Sequence, residues 1–119
     1  MLGGGPWGVD VSDPTDESTL EGRFQLRCRE LIVEIRALGF DPYVWAGLIN
    51  DLGAVAAARR ILANCGILPV TRWLVEQGHP ELTLEREIEQ VTWADLFTDD
   101  DRSHAARRLG SAGWDGPDG

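Results

Sequence analysis

Apolar residues recur at helical spacing near the start of the chain. Between residues 18 and 38 they occur every three or four positions, and arginine and glutamate fill most of the positions between them. Ser18 and Glu21 have the spacing of a capping box, and Gly39 follows the last apolar residue. We therefore predict a surface helix over 18–38. Its buried face would contain Phe24, Cys28, Leu31, Ile32, Ile35 and Leu38.

Glycine and proline divide the middle of the chain into further short helices. Asp41-Pro42 is typical of a helix start, because aspartate accepts hydrogen bonds from free N–H groups and proline suits the first helical position. A second helix is predicted from there to about residue 51. Gly53 separates it from an alanine-rich third helix over 54–64. A fourth, short helix is predicted from 69 or 70 to 77.

Thr83 is placed to cap a fifth helix over 84–91. We expect its apolar residues to face inward and its glutamates to face solvent: Leu84, Ile88 and Val91 inward, and Glu85, Glu87 and Glu89 outward. An apolar cluster follows, formed by Trp93, Leu96 and Phe97, and is expected to pack into the domain. No segment alternates with period two for long enough to form a strand. The predicted fold is all-α, a compact bundle of about five or six short helices.

The segment LFTDDDRSHAARRL, residues 96–109, could begin a helix or hold a metal ion. Thr98 and Asp101 have capping-box spacing, and carboxylates in a first turn face the positive end of the helix dipole. Arg107 and Arg108 would occupy the last turn, before Gly110. A metal or acid–base site could use Asp100 and His104, but consecutive aspartates point about 100° apart on a helix. We therefore predict a helix and assign no catalytic or metal-binding residue.

The net charge of −9 is distributed unevenly along the chain. Residues 1–19 contribute −4 and residues 111–119 contribute −2, leaving −3 for residues 20–110. Residues 1–17 and 111–119 are also rich in glycine, so we predict disordered acidic tails around a single helical domain over 18–110. Within the domain, residues 54–75 contain no carboxylate and residues 81–101 contain eight. We therefore predict that positive and negative charge are unevenly distributed over the domain.

Several classes of function find no support in the sequence. No apolar run is long enough for a membrane span, and the N-terminus lacks the features of a signal peptide, so a cytoplasmic protein without a membrane partner is expected. Cys28 and Cys65 lie far apart and away from metal-ligand spacing, and both are predicted to be reduced. Phosphate loops and nucleophile motifs are missing, and His79 is a lone loop histidine. We expect no enzyme activity and no cofactor.

Three segments together resemble a known family. They are LGFDPYVWAGLINDLGAVAAARRIL, WLVEQGHPELTLEREI and WADLFTDDDRSHAARRL. From about Arg23 to Leu109 the chain resembles a widespread family of small bacterial helical domains of uncharacterised activity. The resemblance implies an all-α fold in which these segments form one core. It also implies an accessory module, found alone or joined to nuclease or regulatory proteins. The glycine-rich acidic tails are not part of the family pattern.

The leading hypothesis is a non-enzymatic accessory or regulatory module that binds another protein. The candidate contact residues are Trp45, Arg59, Arg60, Arg72 and Trp73, together with the tail residues Trp7 and Trp114. The alternative is a helix-turn-helix protein in which residues 42–64 present Arg59 and Arg60 to nucleic acid. The acidic chain and the alanine-rich helix over 54–64, which would have to read the bases, argue against that alternative. An enzyme centred on Asp100 and His104 is a third hypothesis.

Overall fold

A computed structural model describes residues 18–64 and 66–114 of the protein. These residues form six α-helices and no strand, which confirms the predicted all-α fold. The helices are α1 (Leu20–Leu38), α2 (Tyr43–Leu52), α3 (Ala54–Asn64), α4 (Pro69–Glu76), α5 (Leu84–Ile88) and α6 (Asp99–Ser111). Short 3₁₀ helices cover Pro80–Leu82 and Val91–Trp93. None of the helices in these two ranges combines the length and the apolar composition that crossing a membrane requires.

The buried face of α1 lies at the centre of the core. Phe24 and Cys28 are completely buried there, as the helical spacing predicts. The Phe24 ring meets the rings of Trp93 and Phe97 edge-on, each with ring centroids 5.2 Å apart. Edge-to-face pairs of this kind add to the stabilisation that apolar burial provides. Burial also raises the pKa of the Cys28 thiol, which disfavours its thiolate form.

Most predicted helix ends are confirmed, although the start of α1 is one residue later than expected. The N-cap is Thr19, whose hydroxyl oxygen accepts a hydrogen bond from the Gly22 N–H at 2.9 Å, so the predicted role of Ser18 is wrong. Gly39 ends α1 in the left-handed conformation with φ of 113°. Thr83 caps α5 by accepting from the Arg86 N–H, and Thr98 forms the predicted capping box with Asp101.

The start of α2 differs from the prediction. Asp41 makes no side-chain capping bond, and Pro42 occupies the N-cap position. The Asp41 carboxylate instead accepts a hydrogen bond from Arg36 at 3.2 Å. The next helix, α3, takes its cap from another part of the chain. Gln25 of α1 accepts a hydrogen bond from the Ala54 N–H at 2.7 Å, directly after Gly53, which has no side chain to offer.

Helix α5 is shorter than predicted, and one of its faces was assigned wrongly. It ends at Ile88, and the Gln90 side-chain amide donates to the Arg86 carbonyl at 3.0 Å, where the helix stops. The chain then turns, so Val91 no longer shares a face with Ile88 and is 85% exposed. Glu85 and Glu87, which were expected in solvent, are both buried. The reason is a set of partners from distant parts of the chain.

Helix α6 continues through Gly110 to Ser111, one residue beyond the expected stop. Gly113, with φ of 106°, takes the left-handed conformation just after the end of the helix. The Arg86 guanidinium lies 5.4 Å from the centre of the Trp114 ring. The first residues of the predicted C-terminal tail therefore belong to the folded part. Residues 1–17 and 115–119, with Trp7, lie outside the described residues, as does Cys65.

Candidate functional site

Buried carboxylates are the first place to search for chemistry, and Glu85 is completely buried. Its Oε2 accepts a hydrogen bond from Arg108 Nε, and its Oε1 accepts one from the Thr71 hydroxyl, both at 2.9 Å. Arg108 also donates to the Gly66 carbonyl oxygen at 2.9 Å. This network joins α4, α5, α6 and the loop after α3. Both carboxylate oxygens of Glu85 therefore have hydrogen-bond partners in a buried network.

Glu87 has a similar role between α1 and the segment that follows α5. Its Oε2 accepts a hydrogen bond from the Trp93 indole N–H at 2.6 Å, and its Oε1 accepts one from Arg27 at 3.4 Å. Burial opposes the charge on Arg27, but attraction to Glu87 and hydrogen bonds to Glu30 and Glu87 raise the pKa of Arg27 overall. Part of the predicted acidic surface is therefore internal and neutralised by arginine.

The triple aspartate is a helix start. Asp101 belongs to the capping box, and Asp99 pairs with Arg102 one turn later. Within residues 18–64 and 66–114, no three or more histidine, cysteine, aspartate or glutamate side chains are arranged to hold a metal ion. His79 lies at the surface, where its Nδ1 is 3.1 Å from Oε2 of Glu81.

The structure places the five predicted partner-binding residues in different environments. Trp45 is 1% exposed and belongs to the core, so the prediction that it presents an exposed part to a partner is wrong. Trp73 is half-buried, with its ring 5.1 Å from that of Phe40. Arg59 is exposed, but it donates to the Leu96 carbonyl oxygen at 2.6 Å. Arg60 and Arg72 are exposed, and neither takes part in the ion pairs found among the described residues.

The arrangement of α2 and α3 bears on the nucleic-acid alternative. A single residue, Gly53, separates the two helices, whereas helix-turn-helix motifs use a turn of about three or four residues. Among residues 54–63 of α3, the exposed positions are Ala56, Arg59, Arg60 and Ala63. A recognition helix reads bases with several polar side chains, and two of these four positions are alanine. Nucleic-acid binding through Arg59 and Arg60 stays a prediction.

Helix α2 is an apolar helix at the surface. Asp51 is the one charged residue among the ten residues of α2, yet only Trp45 and Ile49 are buried. Tyr43 is 73% exposed, and Val44 and Leu52 are 38% and 40% exposed. Exposed apolar surface can mark a binding site, so α2 is a candidate contact element.

A groove runs between α1 and α2. Its floor is formed by the buried side chains of Ile32 and Ile49. Its rims are Arg29, Val33 and Arg36 of α1 and Ala46 and Asn50 of α2. Val33 is 65% exposed, which is unusual for a valine in the middle of a helix. We call these seven residues, together with Tyr43 one turn before Ala46, the α1–α2 face.

The polar groups of the α1–α2 face carry positive charge. Arg29 donates to the neutral Asn50 amide oxygen at 3.4 Å, and none of the ion pairs among the described residues includes Arg29. Arg36 is paired with Asp41, but both side chains are more than half exposed. An ion pair in solvent contributes little to stability, so the Arg36 guanidinium can exchange partners at low cost.

Another cavity, at the start of α2, is lined by Phe40, Tyr43, Val44, Leu68 and Pro69 among others. It has room for little more than a water molecule. Sequence reasoning missed the α1–α2 face, although two signals could have indicated it. Arg29, Val33 and Arg36 lie four and three residues apart, on one side of α1. The segment YVWAGLINDL has apolar residues on every side and only two polar ones, Asn50 and Asp51.

Comparison of the chain with protein-family models, curated proteins and solved structures found no match. The resemblance to the bacterial helical family therefore stays a prediction, and the candidate site rests on the geometry of this molecule.

Proposed function

We propose that the protein is a non-enzymatic helical module that binds another protein through the α1–α2 face. The observation that carries the proposal is the composition of α2, which has one charged residue in ten and buries only Trp45 and Ile49. Apolar surface gains roughly 25 cal/mol for each Å² removed from water. Covering the exposed apolar side chains of α2 with a partner would therefore stabilise the complex.

The residue types of the face support protein binding. Tyrosine and arginine are enriched in the cores of protein interfaces, where aspartate, glutamate and lysine are depleted. The face presents Tyr43, Arg29 and Arg36 around apolar side chains. Two exposed carboxylates, Asp41 and Asp51, lie at the ends of α2 and suit the rim of an interface. The accessory or regulatory role that the family resemblance implies agrees with a binding module.

Site-specific photo-crosslinking tests the proposal. A photoreactive amino acid replaces Val33 on the α1–α2 face, and the full chain is irradiated in its native host at native expression level. The matched control replaces Val91, which is even more exposed but does not line the groove. We expect discrete adducts from position 33 and none, or different ones, from position 91. Equal adducts from both positions, or none from position 33, would contradict the proposal.

A further inference from the structure

We propose that the partner enters the groove as an amphipathic helix whose apolar face lies between two acidic residues seven positions apart. This inference rests on the proposed function and adds the chemistry of the partner. The partner's carboxylates would pair with Arg29 and Arg36, and its apolar side chains would cover Val33, Ile32 and Ile49.

The spacing of the two arginines indicates a helix. Arg29 and Arg36 are seven residues apart on α1, which places them on one side of the helix and about 10 Å apart along its axis. A helix that packs along α1 repeats with the same rise per residue. Acidic residues seven positions apart on that helix therefore match the spacing of the arginines. An extended strand would instead require a free sheet edge, and the described part of the chain contains no strand.

The charge of the two arginines determines which helix fits. The guanidinium of Arg29 has only the neutral Asn50 amide as its described polar contact. The guanidinium of Arg36 forms an exposed ion pair with Asp41, and a carboxylate of the partner can take the place of Asp41 in that pair. Arginine forms strong, two-pronged hydrogen bonds with carboxylates, which adds geometric selectivity to the charge. A basic helix would meet two like charges at the rims of the groove.

The shape of the α2 side permits a close approach by the partner helix. Ala46 is a rim residue of the groove, and its side chain is a single methyl group. Small residues bring helix axes near one another, so that the side chains of the partner can reach the buried floor. Apolar side chains of a partner would pack favourably on the isoleucine floor and on the exposed Val33. The charged phosphates of a nucleic acid would not.

Selection from a displayed library of helical peptides tests the inference. The full-length chain is the target, and the library randomises all outward positions of a peptide of about 18 residues. We expect the selected peptides to carry aspartate or glutamate seven positions apart around an apolar stripe. In the Arg29→Glu, Arg36→Glu double variant their affinity should fall by at least about tenfold, since two charge-assisted hydrogen-bonded pairs are lost. Exchanging the two peptide acids for arginine should restore the affinity.

The control is the Arg60→Glu, Arg72→Glu double variant, which makes the same change of charge at two other exposed arginines. It should bind the selected peptides with nearly unchanged affinity, and circular dichroism should show that both variants stay folded. Equal loss in both double variants, selection of peptides without the acid pair, or selection of no peptide would overturn the inference. If the adducts at Val33 nevertheless persist, the proposed function stands and only the partner chemistry is wrong.

Discussion

Arg108 Nε donates a hydrogen bond to Glu85 Oε2 at 2.9 Å in the interior of the protein, where neither side chain is more than 5% exposed. The two residues are 23 positions apart and connect α5 to α6. Arg107, the next residue along the chain, is exposed. Two neighbouring arginines of the same helix turn therefore have different environments.

This difference predicts unequal effects on stability. Arg108→Leu leaves the Glu85 carboxylate buried without its charge partner, which costs about 3–5 kcal/mol of unfolding free energy. Arg107→Leu should change it by less than about 0.5 kcal/mol, because exposed positions seldom matter. Urea denaturation measures both. The double variant Glu85→Leu, Arg108→Leu should recover much of the loss. Equal effects of the two single arginine substitutions would show that the pair does not stabilise the fold.

Glu89 predicts a dependence of stability on pH. Burial raises the pKa of this carboxyl, although Arg86, 3.7 Å away, acts in the opposite direction. The folded state therefore holds the proton more tightly than the unfolded state. The resulting contribution to stability is complete below the unfolded pKa of about 4.3 and is lost as the pH rises through the higher folded pKa.

Glu89→Gln removes this titration. At neutral pH the variant should be more stable than the native protein by roughly a few tenths of a kcal/mol, because Glu89 remains partly exposed. The difference should shrink when the pH falls to about 4. Thermal unfolding at several pH values measures it, with Glu76→Gln at an exposed position as the control. A difference that grows as the pH falls would have the wrong sign for this explanation.

Two glycines that flank the second half of α2 predict opposite effects of the same substitution. Gly47 is inside the helix, and a Cβ there meets nothing within 4 Å, so Gly47→Ala should stabilise the fold by about 0.5–1 kcal/mol. Gly53 has φ of 87°, and a Cβ there would lie 3.6 Å from the Gln25 amide oxygen that caps α3. Gly53→Ala should destabilise by about 1 kcal/mol or more. Chemical denaturation distinguishes them, and effects of the same sign would contradict the conformations described here.

Helix ends were predictable because their interactions are local. The capping bonds of Thr83 and Thr98 join residues three positions apart, and Gly39 needs only its own backbone freedom. The capping of α3 by Gln25 could not be predicted in this way, since it joins residues 29 positions apart. The predicted Ser18 cap failed for a smaller reason, because Thr19 beside it offers the same chemistry.

The sequence by itself determined that this chain is helical and where most of its helices begin and end, because periodicity and capping act within a few residues. Tertiary structure decided which polar groups are buried. The pattern Glu85, Glu87, Glu89 is typical of an exposed helix face, and only distant partners such as Arg108 and Arg27 make burial of the first two possible. Tertiary structure also decided which side chains of α2 are exposed at the candidate site. Since α2 carries apolar residues on every side, only packing could select Trp45 for the core and leave Tyr43 in water.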